Sequence, residues 1–356
     1  MGEPMRGAVS RGTLRLMSAL LLTAAPAAYL PQGSAPTLPA RLDAYLTQVV
    51  KLTPEERKQL LGGSPVAKLL DVDKSKEVSV FGAIWIDAPV HRYVEAVKDI
   101  ERFESGGSFK VTKRISEPAR LTDFADLHLP KEDVEDLRKC RVADCEVKLG
   151  EAGIERFRSQ VDWSGANAQA GADAVMRQLA LEYVTGYMEG GNKRLAVLRD
   201  KSRPAFIDQE LREMIEKMPE LTSYLPEIRR DLLEFPSRSL SDATSFLYWQ
   251  ETQFGLKPTI RISHVVIREA SGSAVVASKM LYATHYFWTG LELRALIPAP
   301  ARERGFWMVT VNRSRSDGLS GFTGSIIRGR VQNEVREGTL GALRSTKATL
   351  ERDGAH

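Results

Sequence analysis

Between residues 260 and 315 the chain packs four apolar, β-branched segments with short connections. Ile260–Arg268, Ala274–Phe287, Leu291–Ile297 and Phe306–Arg315 read as strands, and Gly272, Gly290 and Gly305 mark the turns between them. Strands joined by short turns are neighbours in space and pair antiparallel. One long helical segment, Ile326–Leu350, closes the pattern, with Ile327, Val331 and Val335 on one stripe continued by Leu343 and Leu350. A single antiparallel sheet with a long helix packed across it is therefore the first expectation.

The earlier part of the chain supplies the rest of that sheet. Val78–Ile86 reads as a strand ending at Asp87-Ala88-Pro89, and Val90, Val94 and Val97 place a helix immediately after it. Phe109–Ile115 and Leu121–Leu127 read as a further strand pair. Lys131–Leu137 reads as a short acidic helix, and Cys145–Leu149 as another strand. Leu38–Leu61 is helical, with Thr53-Pro54-Glu55-Glu56 arranged as a capping box and Gly62-Gly63 as the stop. From 151 to 235 the pattern is helical: Val175, Leu179, Tyr183 and Tyr187 recur every four residues, and Phe206–Met218 and Leu221–Leu233 follow, the latter interrupted near Pro226. The expected organisation is a leader at 1–35, a helical segment at 36–75, two sheet halves at 76–150 and 241–352, and an all-helical insertion at 151–240. The fold class is α+β.

The leader expectation rests on Arg6, Arg11 and Arg15 ahead of an uncharged run from Leu16 to Ala28, with Ala25 and Ala27 spaced as in a cleavage site and a second option at Ala35. The run is shorter than the roughly 20 residues that span a bilayer. An exported, periplasmic protein is expected. Removing the leader takes away three arginines and Glu3 and lowers the net charge from +4 to +2. No basic tract remains, so nucleic acid is not an expected partner. Cys140 and Cys145, the two cysteines of the chain, sit as C-x4-C; in an oxidising compartment they read as a disulfide closing a tight turn, with free thiols or a redox or metal pair as alternatives. No metal site and no cofactor motif is expected: G-x-S-x-G, a phosphate loop, H-E-x-x-H and the dinucleotide G-x-G-x-x-G are all missing.

A strand ending Ile84-Trp85-Ile86-Asp87-Ala88-Pro89 followed by a helix Val90-His91-Arg92-Tyr93-Val94-Glu95-Ala96-Val97 resembles the opening of the helix-grip superfamily, which includes START lipid-transfer domains and polyketide cyclase-like proteins (SRPBCC). The final strands and long terminal helix are similar too, so the likeness covers about 78–150 and 245–350. It implies a curved antiparallel sheet gripping the C-terminal helix, with a lipid or other hydrophobic small molecule between them and only transient contact with a membrane. The helical block departs from the family's pattern and reads either as a lid or as a partner surface. Segments such as Tyr248-Trp249 to Lys257-Pro258 and Asn312-Arg313-Ser314-Arg315 are similar to uncharacterised exported bacterial proteins.

Candidate site residues follow from these readings. Gly338 and Gly341, with Ala342, Ser345 and Ala348, share a face of the last helix and read as a ligand groove or as close packing. Trp85, Tyr282 and Tyr286 are amphipathic aromatics that suit a pocket as well as a core. Arg313 and Arg315 continue the otherwise apolar face of Trp307, Val309 and Val311. They read as a carboxylate or phosphate anchor, as an internal ion pair with Asp317, Glu292 or Glu251, or as side chains exposed beyond the end of the sheet. An enzyme in the same scaffold would use His285 with Asp317, Glu251 or a tyrosine as acid and base. A third expectation is a cell-envelope interaction protein that docks through the helical block.

Overall fold

A computed structural model describes residues 37–236, 243–254, 257–299, 304–317, 319 and 321–352, with backbone alone at 254 and 321–327. The expected leader lies outside the described residues.

Eight strands form one antiparallel sheet. They are β1 (Val66–Leu69), β2 (Glu77–Ile86), β3 (Phe109–Ile115), β6 (Thr244–Phe254), β7 (Lys257–Ala270), β8 (Ser273–Ala283), β9 (Phe287–Pro298) and β10 (Phe306–Ser316). Their order across the sheet is β1-β2-β10-β9-β8-β7-β6-β3, so the first long strand pairs with the last. A two-stranded ladder, β4 (Val197–Leu198) with β5 (Ala205–Phe206), lies apart within the helical block. The helices are α1 (Ala40–Gln48), α2 (Pro54–Leu61), α3 (Val90–Lys98), α4 (Ile100–Phe103), α5 (Lys131–Lys139), α6 (Glu151–Gln160), α7 (Ala168–Gly190), α8 (Ile207–Glu216), α9 (Pro226–Leu233) and α10 (Gly321–Arg352). The capping box forms as expected: Glu56 N donates to Thr53 Oγ1, and Thr53 N donates to Glu56 Oε2.

Side chains alternate between two covered faces. On the inner face, Gly82, Ile84 and Ile86 of β2 lie opposite Thr310, Met308 and Phe306 of β10. They join Val94, Val97, Val276, Leu296, Leu343 and Leu350 in one core cluster beneath α3 and α10. On the outer face, Phe81, Ala83 and Trp85 with Trp307, Val309 and Val311 join the larger cluster built with α1 and α5–α9. The helical block therefore packs on the sheet face opposite α10. Tyr183 Oη donates to Leu281 O from α7, and Arg268 pairs with the buried Asp231 of α9.

Three expectations need correction. Leu121–Leu127 is a 3-10 turn over Leu121–Phe124, not a strand, because the Asp123 carboxylate accepts from the backbone N–H of Arg120 and Ser116 and curls the chain. Cys145–Leu149 joins no ladder, and its amides spend their hydrogen bonds on the 199–200 loop and on Thr284. The strand expected to run to Phe287 stops at Ala283, since Tyr286 takes a positive φ of 61° and the chain reverses there. Gly290 is consequently inside β9, not at a turn. β1 was not anticipated, and β6 was not resolved as a separate strand. Cys140 and Cys145 do form a disulfide, both buried, in a turn docked by Ala143 N to Arg199 O and Cys145 N to Asp200 O.

Gly82 lets α10 close on the sheet. A Cβ there would meet Thr339 Cγ2 at 2.7 Å, Thr310 Cγ2 at 2.8 Å and Leu343 Cδ1 at 3.0 Å. Gly82→Val should cost about 1–3 kcal/mol through overpacking, read as a lower midpoint in urea unfolding; an unchanged midpoint would show that the helix does not bear on this position.

Candidate functional site

The inner face carries two polar patches among its apolar side chains, and they differ in how well they are paired. One spans β3, β6 and β7 near the end of α4. Gln250 Nε2 donates to Glu104 Oε2 at 2.8 Å, Thr112 Oγ1 donates to Glu104 O at 2.6 Å, and the Arg261 guanidinium donates to the Gln250 side-chain carbonyl. Every buried group named there has a partner, as buried polar groups generally do.

The second patch spans β8, β9 and β10. The ladder sets Thr310 opposite Arg294 and Asn312 opposite Glu292, with Ser278 opposite Glu292 on the other side. Tyr93 of α3 faces the same region. Among the described residues, Tyr93 Oη, Thr310 Oγ1 and Asn312 Oδ1 are buried atoms without a hydrogen-bond partner. Tyr93 is fully buried and Thr310 is 5 % exposed. Each unsatisfied buried group costs about 1–3 kcal/mol, so this patch is the less satisfied of the two.

Arg294 pairs with Glu292, their side chains 12 % and 29 % exposed, so the patch reaches solvent at the glutamate. Burial works against the Arg294 charge, but Glu292, followed by Tyr93, Glu104 and Tyr248, raises its pKa above the ordinary arginine value. Burial likewise raises the Tyr93 and Tyr248 hydroxyls, which stay neutral donors. The patch therefore presents one held cation, one carboxylate and several neutral hydrogen-bonding groups. α10 makes its main contacts with β2 and β1, and α3 packs toward β8. The polar stretch of β9 and β10 lies between those two supports.

The residues singled out from sequence mostly lie elsewhere. Trp85 is on the outer face, edge-on to Trp307 at 5.4 Å. Tyr282 is also turned to the outer side, where it packs on Tyr183 and donates to Lys148 O at 2.8 Å. The Tyr286 hydroxyl accepts from Lys257 N at 2.7 Å. Gly338 and Gly341 lie on the exposed side of α10, where an added Cβ would meet nothing. The small-residue face thus turns away from the sheet and forms no groove against it. His285 Nε2 contacts buried Asp133 at 2.9 Å, while Asp317 pairs with Lys148 at 2.8 Å. His285 and Asp317 are accordingly engaged with other partners. Glu251 sits opposite Ile260 on β7 and has its carboxyl pKa raised by burial.

Arg313 and Arg315 resolve as an internal ion cluster, with a partner that sequence reasoning did not name. Both pair with Glu77, whose side chain is fully buried. Arg315 also donates to Glu210 at 2.7 Å and Glu213 at 2.9 Å on α8, and Arg313 donates to Lys217 O at 3.0 Å. Glu77 lies just before the apolar run of β2, so the register across from β10 was the signal needed to find it.

A further cluster lies on the outer face at the paired positions His264 and Lys279. His264 contacts Tyr187 Oη through Nδ1 and Ser245 Oγ through Nε2, both at 2.8 Å. Lys279 is fully buried. Burial pushes its pKa down to about 7, and it pushes His264 well below its usual value, with the Lys279 charge adding to the effect. His264 has no acidic residue close to it in sequence, and Lys279 reads there as an ordinary strand lysine, so neither stands out before the strands are paired.

Two outcomes follow. Glu77→Ala leaves two buried guanidinium groups short of a counter-charge, which should cost about 3–5 kcal/mol; urea unfolding with a loss below 1 kcal/mol would contradict this. Lys279 has a folded pKa below its unfolded one, so the unfolded chain binds the extra proton between pH 7 and about 10. Stability should rise with pH across pH 7 to 9, by up to about 1.4 kcal/mol per unit, and Lys279→Met should flatten that slope in thermal unfolding.

Among the described residues no helix is long and apolar enough to cross a membrane, and no group of His, Cys, Asp and Glu could hold a metal ion. The chain matches no known family model, and no curated protein is detectably similar to it.

Proposed function

We propose that this chain is an exported binding protein of the helix-grip type. It holds an amphipathic small molecule, with an apolar body and a hydrogen-bonding group, on the inner sheet face over β9 and β10, in the stretch between α10 and α3. The observation that carries the reading is the trio of unpartnered polar atoms, Tyr93 Oη, Thr310 Oγ1 and Asn312 Oδ1, grouped beside Arg294 and Glu292 among apolar side chains, whereas the other polar patch of that face is paired within itself. A few convergent polar groups in an apolar setting are how small-molecule sites fix orientation. The strand order supports the same reading: β2 next to β10, helices α3 and α4 between the first long strand and β3, and α10 closing the chain. The Cys140–Cys145 disulfide supports an oxidising compartment. The helical block, packed on the outer face, serves here as a scaffold behind the sheet and not as a lid over the ligand.

Solvent extraction of natively purified protein followed by mass spectrometry should release a molecule with an apolar body and at least one hydroxyl, carbonyl or carboxyl group. A Thr310→Val/Asn312→Leu variant should retain the fold and release at least tenfold less of it. An empty extract from wild-type protein, together with no saturable binding of a dansyl-labelled fatty acid, would refute the reading.

A further inference from the structure

Lys279 sits on the opposite face of the sheet from the proposed ligand groove, in surroundings unusual for an ammonium group. Its Nζ donates to Asn192 Oδ1 at 2.8 Å and Leu232 O at 3.4 Å. The Tyr187 and Phe235 ring centroids lie 5.0 and 5.5 Å away. Those two rings stack on each other at 4.8 Å and form an aromatic wall beside the amine. No carboxylate pairs with it among the described residues. A lysine that serves only as an internal pin gains most from a buried carboxylate, as Lys148 does with Asp200 and Asp317. Lys279 has neutral acceptors instead.

The amine is also one side chain away from open space. Asn192 and Phe235, its own contacts, line a surface pocket of about 280 Å³ whose apolar walls include Leu211 and Leu233. The Asn192 amide stands between pocket and amine, held by Nδ2 donating to Leu232 O and Leu233 O. On the solvent side the pocket carries Lys193 and Arg212 against Asp208 and Glu234, a balance that favours neither an anion nor a cation. Among the described residues these are the charged groups facing the pocket. The polar groups around the amine, Tyr187, His264, Asn192 and Ser245, are neutral.

We propose that Lys279 is a nucleophilic amine, and that this pocket admits a small uncharged aldehyde or ketone which the amine captures as an imine. The nitrogen lone pair forms a bond to the carbonyl carbon, and the π pair moves to oxygen, which takes a proton. The carbinolamine then gives up its hydroxyl as water. The nitrogen loses its two protons, and carbon and nitrogen share the new double bond. No oxidant or reductant enters. Tyr187 Oη, in contact with His264 Nδ1 and through that ring with Ser245 Oγ, offers a neutral relay for the protons beside the aromatic wall. The low pKa of about 7 keeps much of the amine unprotonated at neutral pH, whereas an ordinary lysine is protonated almost completely.

The test uses folded wild-type protein, propanal and sodium cyanoborohydride at pH 7.5, with lysine modification mapped by peptide mass spectrometry. Lys279 should be propylated at least tenfold faster than exposed lysines such as Lys193, with a half-maximal rate near pH 7. Asn192→Ala, which removes the amide standing before the amine, should raise that rate further, and Tyr187→Phe should lower it. Modification of exposed lysines with Lys279 untouched in the wild-type protein would overturn the proposal, and so would a Lys279 rate equal to theirs. The wild-type measurement decides the matter by itself, and its failure would leave the inner-face binding reading standing.

Discussion

One buried carboxylate organises the junction of the first and last long strands with the layer behind them. Glu77 opens β2 and takes both Arg313 and Arg315 of β10, while Arg315 reaches on to Glu210 and Glu213 of α8. Removed from water, any of these charges alone would be costly. Together they fix which residue of the first long strand lies across from which residue of the last, and seat a helix of the inserted block against that junction. A slip of one residue would turn Glu77 to the inner face and leave the arginines unpaired. The division of the sheet into a face for α10 and a face for the helical block depends on that register.

The strands were legible where the chemistry is local. Val78–Ile86, Phe109–Ile115 and Phe306–Arg315 coincide with β2, β3 and β10 to within about a residue, because β-branched and aromatic side chains on alternating faces leave few other options. The errors arise where a single residue overrides the local pattern. Tyr286 lies in an aromatic run that reads as unbroken strand, yet it adopts a left-handed backbone to turn the chain. Leu121–Leu127 has strand composition, yet Asp123 captures its backbone donors. A side chain that competes for backbone hydrogen bonds, or a residue strained into a turn by its neighbours, leaves little trace in a pattern of apolar positions.

Much less of the site was legible. An arginine on an apolar face announces that a partner exists, but Glu77 is 236 residues from Arg313 and only the sheet register joins them. Tyr93, Thr310 and Asn312 are unremarkable by type, and their meaning comes from being buried together without partners. The glycines of α10 misled in the other direction. Small residues at three-to-four spacing suggest a groove, but side chains at Thr339, Leu343 and Leu350 carry the contact with the sheet, and the glycines fall on the far side. Periodicity identifies a face without saying which of two faces is turned inward when both are weakly apolar.

The pairing of β2 with β10 has a consequence for how the chain acquires its shape. The partners Glu77 and Arg315 are separated by 238 residues, and β3 meets β6 only across the whole helical block. Contacts of such long range pay their loop-closure entropy before they return any stability, which slows folding. The helices from α5 to α9 are continuous in sequence and can collapse on one another early. The sheet then has to be assembled on that preformed wall, from β6 through β10, before β2 finds its place between β10 and β1. A chain emerging from its N-terminus can pair β2 with β1 as a local hairpin, but the β2 edge that takes β10 stays open until nearly all of the chain has been made or delivered, an apolar edge in need of protection for that interval.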